Sequence, residues 1–418
     1  MKLKRVNWIL SIATIFGMTT ALLMSCKDDE PVELALVSLT ADGIDLNAAT
    51  SPTNVPPGAT ITAEFNTSIN ESTLAVILTR DYDNTTMNLN VSVVGSTVTI
   101  DPVDDFGTGT LFVLAIAPGL TSAEGKVLTQ GIERNFTTDG AFAPAGAVAH
   151  WTFEDNANDV IGAFDPTTSQ VVDITYVASR NTTAGKAASF NGSTSIIEIS
   201  NGDDLMNDGS WTLSFWVKPS SANGKTSGHF VLGLGAFYGF QFEIAGDYSN
   251  CKLAARYGYN HPTNGPGTAS EDLWVDATGN LGWQGWTFSK DLSGSGGLEA
   301  VIKDQWTHVA LVYNAVEKTG TAYINGEKMK EQDFDLWPEG DNKTYVSGLE
   351  YDGVAPEVVN ELAFGFIQSR AGTLWDNETW GGYDFASANH FQGELDDIRI
   401  YFKTLTLTEI DLMYNSEK

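Results

Sequence analysis

The most suggestive chemistry in this 418-residue sequence lies in aromatic rings gathered within glycine-rich stretches. Trp274, Trp283 and Trp286 fall with Tyr259 in residues 257–297, and Trp375 and Trp380 fall with Tyr383 in residues 372–385. Sugar rings present apolar C–H faces that stack on indole and phenol rings, while neighbouring Asp, Asn and Gln can hold the hydroxyls. These five tryptophans are therefore expected to bind a ligand, with a glycan as its class. The competing expectation is that each indole packs beneath its own loop as a small satellite core. A reacting constellation is harder to find. His150, His229, His261, His308 and His390 form no His-Glu-x-x-His metal motif, and no Gly-x-Ser-x-Gly elbow occurs. Gly224-Lys225-Thr226 lacks the upstream glycine of a phosphate loop, and Gly233-x-Gly235 with Gly239 has the wrong spacing for a nucleotide loop. The expectation is that no residue is catalytic.

Long loops of this kind need a rigid scaffold, and composition says which. Forty-one glycines among many Thr, Ser, Val and aromatic residues point to strands and turns. Forty-two per cent apolar residues, with 21 Phe, 13 Tyr and 11 Trp, are far too many for a disordered chain. Fifty-three acidic against 23 basic side chains leave a net charge of −30, which repels nucleic acid. The same excess suits an exported soluble surface and sites for a hard cation such as Ca2+.

Lys2, Lys4 and Arg5 precede an apolar run over residues 6–23 that Asn7, Ser11, Thr14, Thr19 and Thr20 interrupt. This is an export signal, marginal as a lasting membrane helix. Leu22-Leu23-Met24-Ser25-Cys26 resembles the lipobox of bacterial lipoproteins. The resemblance implies removal of residues 1–25 and lipidation of Cys26, whose acyl chains would anchor the protein to the membrane through a tether of residues 26–35. Lys27-Asp28-Asp29-Glu30 resembles the acidic export tag of Bacteroidetes surface lipoproteins. That implies an outer-membrane location facing the extracellular side, alongside uptake partners in the same membrane. Cys251 is the other cysteine, so no disulfide within the chain is expected and each domain must rest on its core.

Residues 36–139 alternate in short strands. Ile61, Ala63 and Phe65 share one face, as do Leu89, Val91 and Val93, and Gly95-Ser96 then turns the chain into Val98 and Ile100. Leu111–Ile116 is continuously apolar and reads as a strand buried on both faces. The order of Val55-Pro56-Pro57-Gly58, Thr99-Ile100-Asp101-Pro102, Gly109-Thr110-Leu111-Phe112-Val113 and Asn135-Phe136-Thr137-Thr138 resembles the bacterial Ig-like domain of S-layer and surface proteins. There such a module is a spacer. Residues 140–147, without charge or periodicity, read as a linker.

From residue 148 a longer β domain runs to 418. Leu213, Phe215 and Val217 alternate along one run, Val309, Leu311 and Tyr313 along another, and Asn325-Gly326 closes a hairpin. Thr406 and Glu409 form a capping box for a helix near the end. His150-Trp151-Thr152-Phe153, Trp211-Thr212-Leu213-Ser214-Phe215-Trp216-Val217, Gln305-Trp306-Thr307-His308-Val309 and Glu394-Leu395-Asp396-Asp397-Ile398-Arg399 carry a resemblance to the LamG-like, concanavalin A-like jelly roll. The fold expected is thus all-β: an Ig-like β-sandwich followed by a concanavalin A-like sandwich. The resemblance implies a structural Ca2+ near the ends of the second domain, with Glu154, Asp159 and Asp396 as metal ligands. The Glu394-x-Asp396 strand also begins like the nucleophile strand of laminarinase-type glycoside hydrolases, but Arg399 replaces the second glutamate, leaving the carboxylate pair incomplete. The reading that results is a surface lipoprotein with a non-catalytic, lectin-like module for glycan capture. An adhesin for a protein ligand and a divergent glycoside hydrolase are the alternatives.

Overall fold

The computed structural model describes residues 33–282 and 284–418; the export signal, Cys26, the acidic tag and Trp283 lie outside the described residues. The first domain is a sandwich of two antiparallel sheets. One orders Ile44–Asp45, Leu36–Ala41, Ile61–Phe65, Thr97–Pro102 and Leu89–Val94, and the other Thr85–Thr86, Val76–Arg80, Leu111–Ile116 and Ile132–Thr137. Ile61, Ala63 and Phe65 enter the core as expected, closing over Phe106, Phe112 and Phe136. Leu111–Ile116 departs from expectation. Phe112, Leu114 and Ile116 are buried while Leu111, Val113 and Ala115 are only half-buried, because no further layer covers this sheet. Leu89–Val94 is the edge strand of the other sheet, and Val91 on it is exposed.

The second domain stacks two larger antiparallel sheets. The front sheet orders Thr175–Ala178, Lys186–Asn191, Gln392–Tyr401, Trp211–Pro219, Thr307–Asn314, Thr319–Ile324, Glu327–Asp333 and Trp286–Ser289, with Ala147–Trp151 also pairing to Gln392–Tyr401. The back sheet orders Val171–Val172, Ile196–Ile199, Leu362–Phe364, His229–Leu234, Phe240–Ile244, Cys251–His261 and Gly265–Val275. Leu213, Phe215, Val217, Val309, Leu311 and Tyr313 all point into the core between the sheets. Their alternates Thr212, Ser214, Trp216 and His308 are buried too, since the C-terminal helix Leu407–Glu417 lies over the front sheet's outer face. Its capping box forms as the sequence requires, with Glu409 N donating to Thr406 Oγ1 and Thr406 N to Glu409 Oε2. Asn325 and Gly326 both take left-handed φ, 52° and 78°, the backbone an Asn-Gly hairpin demands. Cys251 is a free, buried core residue whose thiol burial pushes up to about 12.

Candidate functional site on the back sheet

Along Cys251–His261, the side chains of Leu253, Ala255 and Tyr257 enter the core, so Lys252, Ala254 and Arg256 emerge on the opposite face. Register then builds rows across three strands. Glu243, Lys252 and Trp274 are partners in one row, and Gln241, Ala254 and Asp272 in the next. Lys252 Nζ lies 3.2 Å from Glu243 Oε1 and 3.1 Å from Asp272 Oδ2, and 5.4 Å from the Trp274 ring centre. Burial opposes the lysine's charge, yet the two carboxylates outweigh it and hold the ammonium above its ordinary range. One row further, Arg256 donates to Asp352 Oδ2 through Nε at 2.9 Å and Nη2 at 2.6 Å, and to Ser270 Oγ at 2.8 Å. Its guanidinium carbon stands 5.3 Å from the Tyr238 ring centre.

An aromatic ridge continues from Tyr238. Phe237 stacks on Tyr238 at 4.7 Å, Trp375 follows at 6.1 Å from Phe237, and Trp380 at 4.9 Å from Trp375. The two tryptophans belong to a segment that covers the other half of this face, over Ile196, Phe230, Ala363, Phe366 and Ile367. Gly233 makes that cover possible, because a Cβ there would lie 2.4 Å from the Ile367 carbonyl oxygen. Within the cover a hollow of about 360 Å3 is lined by Arg370, Gly372, Asp376, Gly382, Tyr383, Asp384 and Phe385. Glu198 fixes Arg370 at its rim: Oε1 accepts from the Arg370 backbone N at 2.7 Å, and Oε2 from Nη2 at 2.6 Å. Gly382 approaches Phe385 and the Trp375 carbonyl closely, which ties the hollow to the indole pair.

Of the five tryptophans singled out from the sequence, Trp274, Trp375 and Trp380 share this face, whereas Trp286 lies on the edge strand of the front sheet with Lys330 Nζ 3.8 Å from its ring centre. Trp283 lies outside the described residues. Trp380 is 41% exposed; Trp274, Trp286 and Trp375 are half-buried. Much of residues 257–297 is no loop: Cys251–His261 and Gly265–Val275 form one long hairpin. Sequence reading missed Tyr238, Arg256, Asp352, Arg370 and Glu198. The signal available was the charge at Lys252 and Arg256, four apart on a strand whose Leu253, Ala255 and Tyr257 are apolar.

Glu154, Asp159 and Asp396 are not brought together as a cation site. Asp159 is buried, and its carboxylate accepts from the backbone N–H groups of His150, Ile161, Ala163 and Phe164. Glu154 accepts from the Lys186 backbone at 3.1 Å. Asp396 is 1% exposed, bonded by the Ser179 hydroxyl and by Arg180 Nη1 at 2.5 Å. Among the described residues no group of three or more acidic, histidine or cysteine side chains is disposed to hold a metal. Donors already bond both oxygens of Asp159 and of Asp396, while Glu154 accepts the Lys186 backbone at Oε1 alone. Asp396 is instead part of an ion network beneath the C-terminal helix, in which Arg180 also reaches Asp397 at 2.6 Å and Trp216 donates to Glu417 at 2.6 Å. His308, also buried there, shares a hydrogen bond of 2.9 Å with Ser214.

Residues 191–357 match the model of the concanavalin A-like lectin/glucanases superfamily, and residues 44–138 match that of the bacterial Ig-like domain. The chain therefore carries a bacterial Ig-like domain followed by a concanavalin A-like domain. Similar solved structures include the receptor-binding domain of botulinum neurotoxin type G, at 13% identity and a TM-score of 0.38 over 65% of this chain and 51% of that one. Another is the binding domain of Paraclostridial mosquitocidal protein 1, at 16% and 0.41 over 65% and 52%. A third is domain 4 of a GH43 extracellular arabinanase from Geobacillus stearothermophilus in complex with arabinotriose, at 20% and 0.36 over 65% and 100%. The aligned region spans about half the length of the two toxin domains. No curated protein matches the sequence.

Proposed function

We propose that the concanavalin A-like domain binds carbohydrate without cleaving it, at the face shared by Trp274, Trp375 and Trp380. The observation that carries this reading is the pairing of an exposed indole, Trp380, with a hollow of about 360 Å3 lined by Arg370, Asp376 and Asp384. An apolar ring beside fixed donors and acceptors suits a sugar, which offers a C–H face and a rim of hydroxyls. Burial of Asp396 beneath the helix supports a binding rather than a hydrolytic role, because a nucleophile there would not meet substrate. In this reading the Ig-like domain is a spacer. Cys26 carries the lipid anchor, and the acidic tag places the module on the outer face of the outer membrane for glycan capture.

A glycan array probed with residues 27–418 tests the proposal. Saturable binding to an oligosaccharide, lost in Trp380→Ala, is the expected result. Silence on every sugar, with saturable binding to a protein ligand, overturns it in favour of an adhesin. Cys26→Ala should leave the membrane fraction; a variant that stays there overturns the anchor.

A further inference from the structure

The Ig-like domain does more than precede its neighbour along the chain: it holds the helix that covers the front sheet of the jelly roll. Tyr82, in the turn after Val76–Arg80, donates its hydroxyl to Glu409 Oε1 at 3.1 Å. Glu409 is the residue whose Oε2 caps that helix, accepting from Thr406 N at 2.8 Å and from Thr406 Oγ1 at 3.0 Å. One buried carboxylate is thus bonded from both domains. The Tyr82 ring also packs edge-on against Phe142, 5.3 Å between ring centres, with the Arg80 guanidinium carbon 4.8 Å from the Tyr82 centre.

Phe142 fastens the opposite end of the helix. Its ring is buried with Ala310 and Val312 of the front sheet and with Ile410 and Met413 of the helix, and its N–H donates to Ser416 Oγ at 2.9 Å. The segment that carries it, residues 140–147, is pinned rather than slack. Thr108 of the Ig-like domain donates to the Ala141 carbonyl through Oγ1 at 2.5 Å and to the Ala143 carbonyl through N at 3.1 Å. From the jelly-roll side, Lys403 Nζ donates to the Ala145 carbonyl at 2.6 Å. Gly107 and Gly109 hold left-handed φ of 75° and 56° against this segment, and a Cβ on either would lie within 2.7 Å of its backbone.

The helix depends on such ties. Its 11 residues are marginal for a helix in water without tertiary packing. Glu417 places a carboxylate at its C-terminal end, where the helix dipole disfavours negative charge, and the cation that answers it, Arg399 at 2.9 Å, lies on the sheet below. Lifting the helix would part that pair, break the 2.6 Å bond from Trp216 to Glu417 and admit water to the buried Arg180 and Asp396. Contacts that keep the helix down therefore keep these charges enclosed.

We infer that the Ig-like domain is a clamp on the C-terminal helix, and that its docking keeps the helix seated over the ion network of the jelly roll. This goes beyond the role of a spacer and is independent of the glycan reading. Hydrogen exchange followed by mass spectrometry on residues 27–418, which retain both domains, tests it by comparing the amides of Leu407–Glu417 with those of Trp211–Pro219 in the sheet beneath. Tyr82→Phe, which keeps the ring and removes the hydroxyl, should speed exchange of the helix about 3-fold to 10-fold while the sheet keeps its rate. Tyr82→Ala, which removes the ring as well, should speed it about 10-fold to 100-fold. Exchange in Leu111–Ile116 reports whether the Ig-like domain stays folded; if Tyr82→Ala loosens that strand, Tyr82→Phe alone decides. A helix that exchanges at the unsubstituted rate in the deciding variants, or an acceleration shared equally by the sheet, would overturn the clamp.

Discussion

Trp375 and Trp380 lie 4.9 Å apart at 49° to one another, and of the two it is Trp380 that is exposed. Trp375 also touches Phe237 and belongs to the apolar cover of the back sheet. One indole therefore supports and the other presents. Trp380→Ala should cost about 10-fold to 100-fold in glycan affinity with little change in melting temperature, since exposed aromatic anchors dominate binding energy. Trp375→Ala should lower both, by about 2–4 kcal/mol in stability for a large, partly buried ring. Calorimetric titration with thermal melting separates the two.

Glu198 anchors Arg370 at the rim of the hollow, with Ser369 Oγ adding a bond of 2.9 Å. Glu198→Gln should lower stability by about 1–3 kcal/mol, as expected for loss of charge-assisted bonds from a buried acceptor. It should also weaken glycan affinity, because Arg370 would lose its fixed position. Urea unfolding and the same titration check both; unchanged affinity would remove Arg370 from the site.

Asp159 gathers four backbone N–H groups into one carboxylate. The side chain ties the Asp159–Phe164 turn together by hydrogen bonds to its backbone. Asp159→Ala should destabilise by about 2–4 kcal/mol through stranded donors. Addition of Ca2+ or of a chelator should leave the melting temperature of the unsubstituted protein where it was. A rise of several degrees with Ca2+ would restore the metal to this region.

Burial, aided by Asp397, raises the Asp396 carboxyl to about 8, against the smaller opposing effects of Ser179 and Arg180. A carboxyl raised in the folded state keeps its proton where the unfolded chain has lost it, so its contribution is present at low pH and lost as pH climbs through about 8. Stability should fall between pH 5 and pH 8.5, and Asp396→Asn, neutral throughout, should flatten that slope. Denaturant midpoints across the range give the answer; parallel profiles would show Asp396 ionised throughout.

The platform was only partly legible beforehand, for a reason visible in Cys251–His261. Alternation told which residues of the strand point inward, but the partners of Lys252 and Arg256 come from Glu243, Asp272 and Asp352, up to 96 residues away. Register decides those encounters, and register depends on a pairing of strands that local pattern does not encode. Trp286 shows the same effect in reverse. Close to Trp274 along the chain, it sits on the other sheet, because the chain crosses between them after Val275.

Local rules sufficed for what neighbours along the chain decide. The two β domains, the Asn325-Gly326 hairpin and the Thr406–Glu409 cap follow from residue period, left-handed tolerance and short-range hydrogen bonds. Tertiary structure alone decided that Asp159 would serve backbone N–H groups, that Asp396 would vanish under a helix, and that Phe142 would wedge the domains together. Each of those outcomes turns on which distant surface arrives to desolvate the group, and desolvation is a property of the assembled core rather than of the residue.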